Sequence, residues 1–255
     1  MKKIVKSIII VLILAVVIFF IYKSFMFIYF NNIMSKVYEN KDKNYYATVT
    51  QFDYLNNAKT ELKYWNNDKF LKEENKYFNM NNTGEYVDEG SSLRFVNYEQ
   101  NLNFAPLKTD DGKKVANMMY GTLIGSKGPF ETYGYMLDYA SFEEYVSKAN
   151  FKDKINAYIN LFMFEIPTYI KSENYEGKDC YLLIWGKDKY DSIKVYIEKS
   201  TYLPIAYIDG QNSKTNYDIN LRTVTDEEIN YPDLSEYYTS IVYIEKYWWF
   251  VTQKI

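Results

Sequence analysis

Every residue from 8 to 22 is apolar, and this run limits the chain more than any other feature. Extended back to Ile4, it approaches the roughly 20 residues that a helix needs to cross the hydrocarbon core of a bilayer. Lys6 and Lys23 stand near its ends, where their long stems can carry the ammonium groups to the interface. A helix that buries one stripe in a soluble core is apolar on one face only, whereas this run is apolar on all of them.

A cleaved export signal needs a small-x-small site after a shorter apolar run, and YKSFMF at 22–27 offers none. Cys180 is the only cysteine, far from where a lipid-attachment cysteine would stand. The expectation is therefore an uncleaved single-pass anchor over 1–30, embedded in the lipid bilayer. A juxtamembrane helix or linker over 31–43, a β-rich domain over 44–236 and an aromatic tail over 237–255 follow. Lys2, Lys3 and Lys6 precede the span and favour a cytoplasmic N-terminus in the cell membrane, with the domain outside the cytoplasm. Lys36, Lys41 and Lys43 lie beyond the span and pull the other way.

The chain contains no histidine, which removes imidazole bases, Ser-His-Asp and Cys-His nucleophiles and all imidazole metal sites. One cysteine cannot form an intramolecular disulfide or a cysteine-cluster metal site. The formal charge of −3 becomes more negative once the four lysines around the apolar run are set aside, so nucleic acid is not an expected partner. The 29 Tyr and 16 Phe favour pleated, half-buried surfaces and hence strands.

Strand-like segments alternate with polar turns at about ten-residue spacing, the mark of an antiparallel meander. They cover 45–52, 60–65, 69–77, 85–88 and 92–98. Residues 113–123 read as helical. Ser141 and Glu144 form a capping box that opens a helix. Phe151, Ile155, Tyr158, Ile159 and Phe162 follow at helical spacing, stopped by Pro167. Their stripe is expected to pack on the sheet, the alternatives being a partner helix or a membrane surface. Strand character returns at 168–174, 180–185, 193–198, 205–208 and 214–224, and Thr225 with Glu228 makes a second capping box. The tail at 237–255 is too short and charged to span a membrane; a last strand, a packed helix and an interfacial aromatic segment all fit it.

YYATVT at 45–50 followed by TELKYW at 60–65 resembles the opening strands of the bacterial lipoprotein-carrier (LolA/LolB-like) superfamily. GKDCYLL at 177–183 and IKVYIEKSTYLPIAY at 193–207 are similar to its later hairpins, where a strand, an acidic residue, a turn with Leu-Pro and a second strand recur. The resemblance implies an α+β fold: a strongly curved antiparallel sheet, an incomplete β-barrel, with helices packed on its concave face. It further implies a membrane-anchored relative whose sheet interior holds an acyl chain or other hydrophobic ligand. On that view Leu62, Tyr64, Leu93, Phe95, Ile193, Val195 and Ile197 would face the cavity, or else fill a closed core.

Motifs for chemistry are sparse. GTLIGSKG at 121–128 departs from the phosphate-loop spacing and places Gly128 where a hydroxyl residue belongs, so it reads as a loop. Asp110 and Asp111 precede Gly112 as a turn. Glu143, Glu144 and Asp226 to Glu228 stand in first helical turns, where carboxylates suit the dipole. Asn81 and Thr83 match a glycosylation acceptor. Cys180 reads as an inert core residue. No catalytic, metal or cofactor site is expected. The leading expectation is a non-catalytic binding module for a hydrophobic ligand: lipid, acyl chain or apolar peptide. The alternatives are an envelope protein-interaction or sensory module and, behind it, a carboxylate-based hydrolase.

Overall fold

A computed structural model describes residues 2–107, 112–120, 128–130, 146–161, 166–186 and 192–243. The expected capping box at Ser141, the paired Asp110 and Asp111, most of the 121–128 loop, Phe162 and the tail beyond 243 lie outside these residues.

The first element, α1 (Lys2–Lys41), is one unbroken helix of 40 residues, about 60 Å long at 1.5 Å per residue. It is long and apolar enough to cross a membrane, a candidate membrane anchor or signal sequence, and residues 8–22 are exposed all round. Its second half differs. Phe30, Ile33, Met34 and Val37 recur at i, i+3, i+4 and i+7 and are buried against the sheet. Burying each such side chain contributes about 1.5–3 kcal/mol.

Six strands follow as a meander: β1 (Tyr45–Asp53), β2 (Ala58–Asn66), β3 (Phe70–Met80), β4 (Tyr86–Asn97), β5 (Leu102–Leu107) and β6 (Val115–Tyr120). A second meander comprises β7 (Tyr169–Tyr175), β8 (Lys178–Trp185), β9 (Ile193–Glu198), β10 (Pro204–Asp209) and β11 (Ser213–Leu221). Pairing of β1 with β11, from Tyr45 opposite Leu221 to Asp53 opposite Ser213, fuses the two. These eleven strands are all antiparallel; β12 (Tyr238–Tyr243) adds to β6 in parallel. The order is β12-β6-β5-β4-β3-β2-β1-β11-β10-β9-β8-β7, and the edges β12 and β7 do not pair, so the sheet is curved but open. The α+β incomplete barrel with a helix on its inner face agrees with the sequence expectation.

Three differences stand out. Residues 115–120 form a strand instead of a helix: Ala116 and Met118 alternate onto the face that carries Phe104, and two neighbouring strands satisfy the backbone. The segments at 85–88 and 92–98 are one strand, kinked by a bulge opposite Tyr77 and Phe78 where Gly90 has φ +133°. Strand β5 carries no clear alternation, with Leu102, Asn103 and Phe104 all buried, and sequence reasoning passed over it.

Two short helices matter below. Helix α2 (Phe151–Asn160) is N-capped by Asn150, whose side chain accepts from the Asp153 amide at 3.0 Å. Helix α3 (Asp226–Ile229) has the expected reciprocal box between Thr225 and Glu228. It drops Ile229 and Val224 onto the outer face of the sheet, where they join Phe95, Phe104 and Met118.

Candidate functional site

Strand parity sorts the residues into two faces. On the inner face, Tyr45, Ala47 and Val49 of β1 stand opposite Asn66, Tyr64 and Leu62 of β2 and opposite Leu221, Ile219 and Tyr217 of β11. The same layer runs through Ile193, Val195 and Ile197 to Leu183 and Ile170. Five of the seven expected residues therefore share one face: Leu62, Tyr64, Ile193, Val195 and Ile197. Leu93 and Phe95 lie on the other, in the cluster with Phe104 and Tyr231. In β4 both faces become apolar towards Asn97, so alternation alone could not tell inside from outside.

Along β1, β8, β9 and β11 the inner face is covered by the second half of α1. Phe30 sets its ring edge-on to Trp185 at 5.9 Å, and Tyr29 does the same to Tyr181 at 6.0 Å. Polar groups fasten the same helix. Lys36 donates to the Tyr202 hydroxyl at 3.1 Å, and Asn40 donates to the Thr201 carbonyl at 2.8 Å. Tyr202 stands in the left-handed region at φ +56° in the turn before Leu203 and Pro204. The Leu-Pro turn quoted above thus works as a clasp for α1. The Lys36 ammonium holds the Tyr202 phenol below its ordinary pKa, and the neighbouring Tyr202 pushes Tyr181 up to about 12. Gly128 caps the other end of the layer with φ +53°. A Cβ there would meet the Tyr45 hydroxyl at 2.5 Å, so only glycine fits without a shift.

On β3 and β4 the inner face turns polar. Glu73 and Arg94 stand directly opposite and form an ion pair. Asn75 donates to Glu73 at 2.8 Å and to Ser92 at 3.3 Å, and Tyr77 bonds Ser92 at 3.0 Å. With its carboxylate neutralised by a guanidinium, this cluster has the arrangement of a structural pair. Among the described residues no group of three Cys, Asp or Glu side chains could hold a metal ion.

The surface best arranged for recognition lies at the hairpin tips, and the expected residues do not include it. Phe52, Phe78, Met80 and Tyr86 share the outer face where β1–β2 and β3–β4 turn. Tyr54 stacks on Phe52 at 6.2 Å, and Phe52 lies 6.4 Å from Tyr86. Lys59 lies over the Phe78 ring at 4.9 Å while pairing with Glu61 at 2.6 Å. Leu55 is 72% exposed and Tyr54 48%. Both turns are locked. Asp53 accepts from the amides of Leu55 and Asn56, each at 3.0 Å, and from the Asn56 side chain, which first of all holds its carboxyl below the usual range. Asn81 accepts from the amides of Thr83 and Glu85. Met80 donates to the Asn57 carbonyl at 2.9 Å, tying one tip to the other. The result is a rigid, exposed aromatic surface, the composition that protein interfaces favour. Its signal in the sequence was the pair of Asx-type turns flanked by aromatics, readable as turns but not as neighbours.

No known protein family matches the sequence, and no curated protein matches it. Among solved structures, the chain is similar to an uncharacterised conserved protein from Thermus thermophilus: 8% identity over 82% of this chain and 98% of that one, TM-score 0.45. It is also similar to MucB in complex with MucA(peri), at 10% identity over 80% of this chain and 60% of that one, TM-score 0.40. For PNGF-II the identity is 10%, over 79% of this chain and 32% of that one, with TM-score 0.33. The chain thus spans less than two thirds of the MucB and PNGF-II chains, and likenesses this distant transfer no function.

Proposed function

We propose that this chain is a membrane-anchored, non-catalytic binding module of the cell envelope that recognises a protein segment through the aromatic surface at its hairpin tips. One observation carries this reading. The second half of α1 covers much of the inner face, where an acyl chain would have to lie, whereas the apolar surface around Tyr54 and Leu55, on locked turns, stays in solvent. Exposed aromatic and aliphatic groups on locked turns lose little freedom on binding, which favours affinity. The three lysines before the apolar run support a cytoplasmic N-terminus and an extracytoplasmic domain. Because α1 is continuous from the span into the core, a partner held by the sheet would be coupled rigidly to the membrane helix.

A photo-crosslinking residue at Tyr54, in membranes containing the full chain, should yield one discrete adduct with a second protein. The adduct should disappear when Leu55→Asp is added. Absence of any adduct, or an adduct indifferent to Leu55→Asp, would sink the proposal. Co-purification of a stoichiometric lipid in native mass spectrometry, with no adduct, would favour the hydrophobic-ligand reading instead.

A further inference from the structure

Helix α2 does not pack on the sheet. None of its residues is buried, and Phe151, Ile155 and Ile159 are 79%, 43% and 47% exposed. At 100° per residue these three and Tyr158 form one stripe. Lys152 and Lys154 flank that stripe on either side, and Asn156 and Asn160 lie opposite it. The half-buried Asp153 and Ala157 line up with the buried Leu161 that follows the helix. The helix therefore rests on the domain along that edge and turns its apolar stripe outward.

Its place in the fold says what that stripe meets. The Ile166 amide donates to the Leu161 carbonyl at 3.1 Å, so the end of α2 lies within roughly 10 Å of Thr168. The Thr168 carbonyl in turn accepts from the hydroxyl of Tyr22, the last residue of the fully apolar run. So α2 ends beside the point where α1 leaves the span. Tyr169, at the same edge, is also exposed.

We propose that α2 is an in-plane membrane helix, seating Phe151, Ile155 and Ile159 in the interface of the bilayer that α1 spans, a proposal that rests on the anchor reading of α1. A lipid surface suits this helix: apolar and aromatic side chains enter the acyl boundary while Lys152 and Lys154 reach the headgroups. With α1 crossing and α2 lying alongside, the domain has two lipid contacts and a fixed tilt.

The test uses the full chain in liposomes, with single cysteines carrying an environment-sensitive fluorophore at Phe151, Ile155, Asn156 and, within the span, Val11. Cys180 is buried and stays unlabelled in the folded protein. The F151C and I155C labels should be blue-shifted and quenched by lipids bearing a shallow nitroxide, N156C should show neither, and V11C should be quenched by a deep nitroxide. If Val11 is quenched while positions 151 and 155 emit as in water, the proposal falls and the anchor stands. Blue-shifted emission at 155 without lipid quenching also overturns it, since protein then covers the stripe. Should Val11 escape quenching, the anchor reading fails and this proposal with it.

Discussion

Arg222 and Glu228 show how much one pair of side chains specifies. Guanidinium and carboxylate meet twice, at 3.0 and 2.7 Å, and the Thr225 amide donates to the same carboxylate at 3.0 Å. The Arg222 bond first, and then the Thr225 amide, hold the Glu228 carboxyl at about 2. Its folded value is thus below the unfolded value of about 4.3, so its stabilisation is complete above that value and drains away as pH falls towards 2. Glu228→Gln should therefore lower stability at neutral pH and flatten the loss of stability between about pH 5 and 2. Urea midpoints of both proteins across that range measure it; parallel pH profiles would contradict the assignment. The capping box was readable in the sequence from the spacing of Thr225 and Glu228. The partnership with Arg222, six residues before Glu228, was not, because spacing does not reveal which way the chain turns between them. The ion pair of Glu73 with Arg94 was hidden for a similar reason: only the β3–β4 register sets them opposite.

At the level of elements, α1 does two jobs with one helix. The run over 8–22 is apolar and exposed on every face, whereas Phe30, Ile33, Met34 and Val37 form a single face buried against the sheet. Ile33→Ala removes a fully packed side chain and should cost about 2–5 kcal/mol, whereas Leu12→Ala in the exposed run should leave the sheet as stable as before. Chemical unfolding of the full chain in detergent micelles, followed by tyrosine and tryptophan fluorescence, separates the two. Equal effects would show that α1 is not part of the core. The strands were legible where alternation is clean, as in β1 and β9, and illegible where both faces are buried, as in β5. The segment 113–123 misled because Ala, Met and Tyr suit either period; two flanking strands decided the matter for β6. The stripe on α2 was visible as a helix face, but its expected seat on the sheet is taken by α1.

For the whole molecule, the proposed topology, with the N-terminus in the cytoplasm and the domain outside it, predicts opposite accessibility for the two ends of the chain. Asn56→Cys, at an exposed tip, should react in intact cells with a thiol reagent that does not cross membranes. Lys3→Cys should react only after permeabilisation, and the reverse pattern would invert the topology. Buried Cys180 adds little background.

By itself the sequence determined the apolar segment, the antiparallel class of the sheet and the absence of histidine or disulfide chemistry. These depend on composition and short-range periodicity, which act residue by residue wherever the chain goes. Tertiary structure alone decided that α1 fills the curved sheet, that Leu93 and Phe95 face away from Leu62 and Tyr64, and that two distant turns join their aromatics into one surface. Each of these rests on register and on competition for a single buried face, and both are properties of strands and helices meeting, which no local pattern encodes.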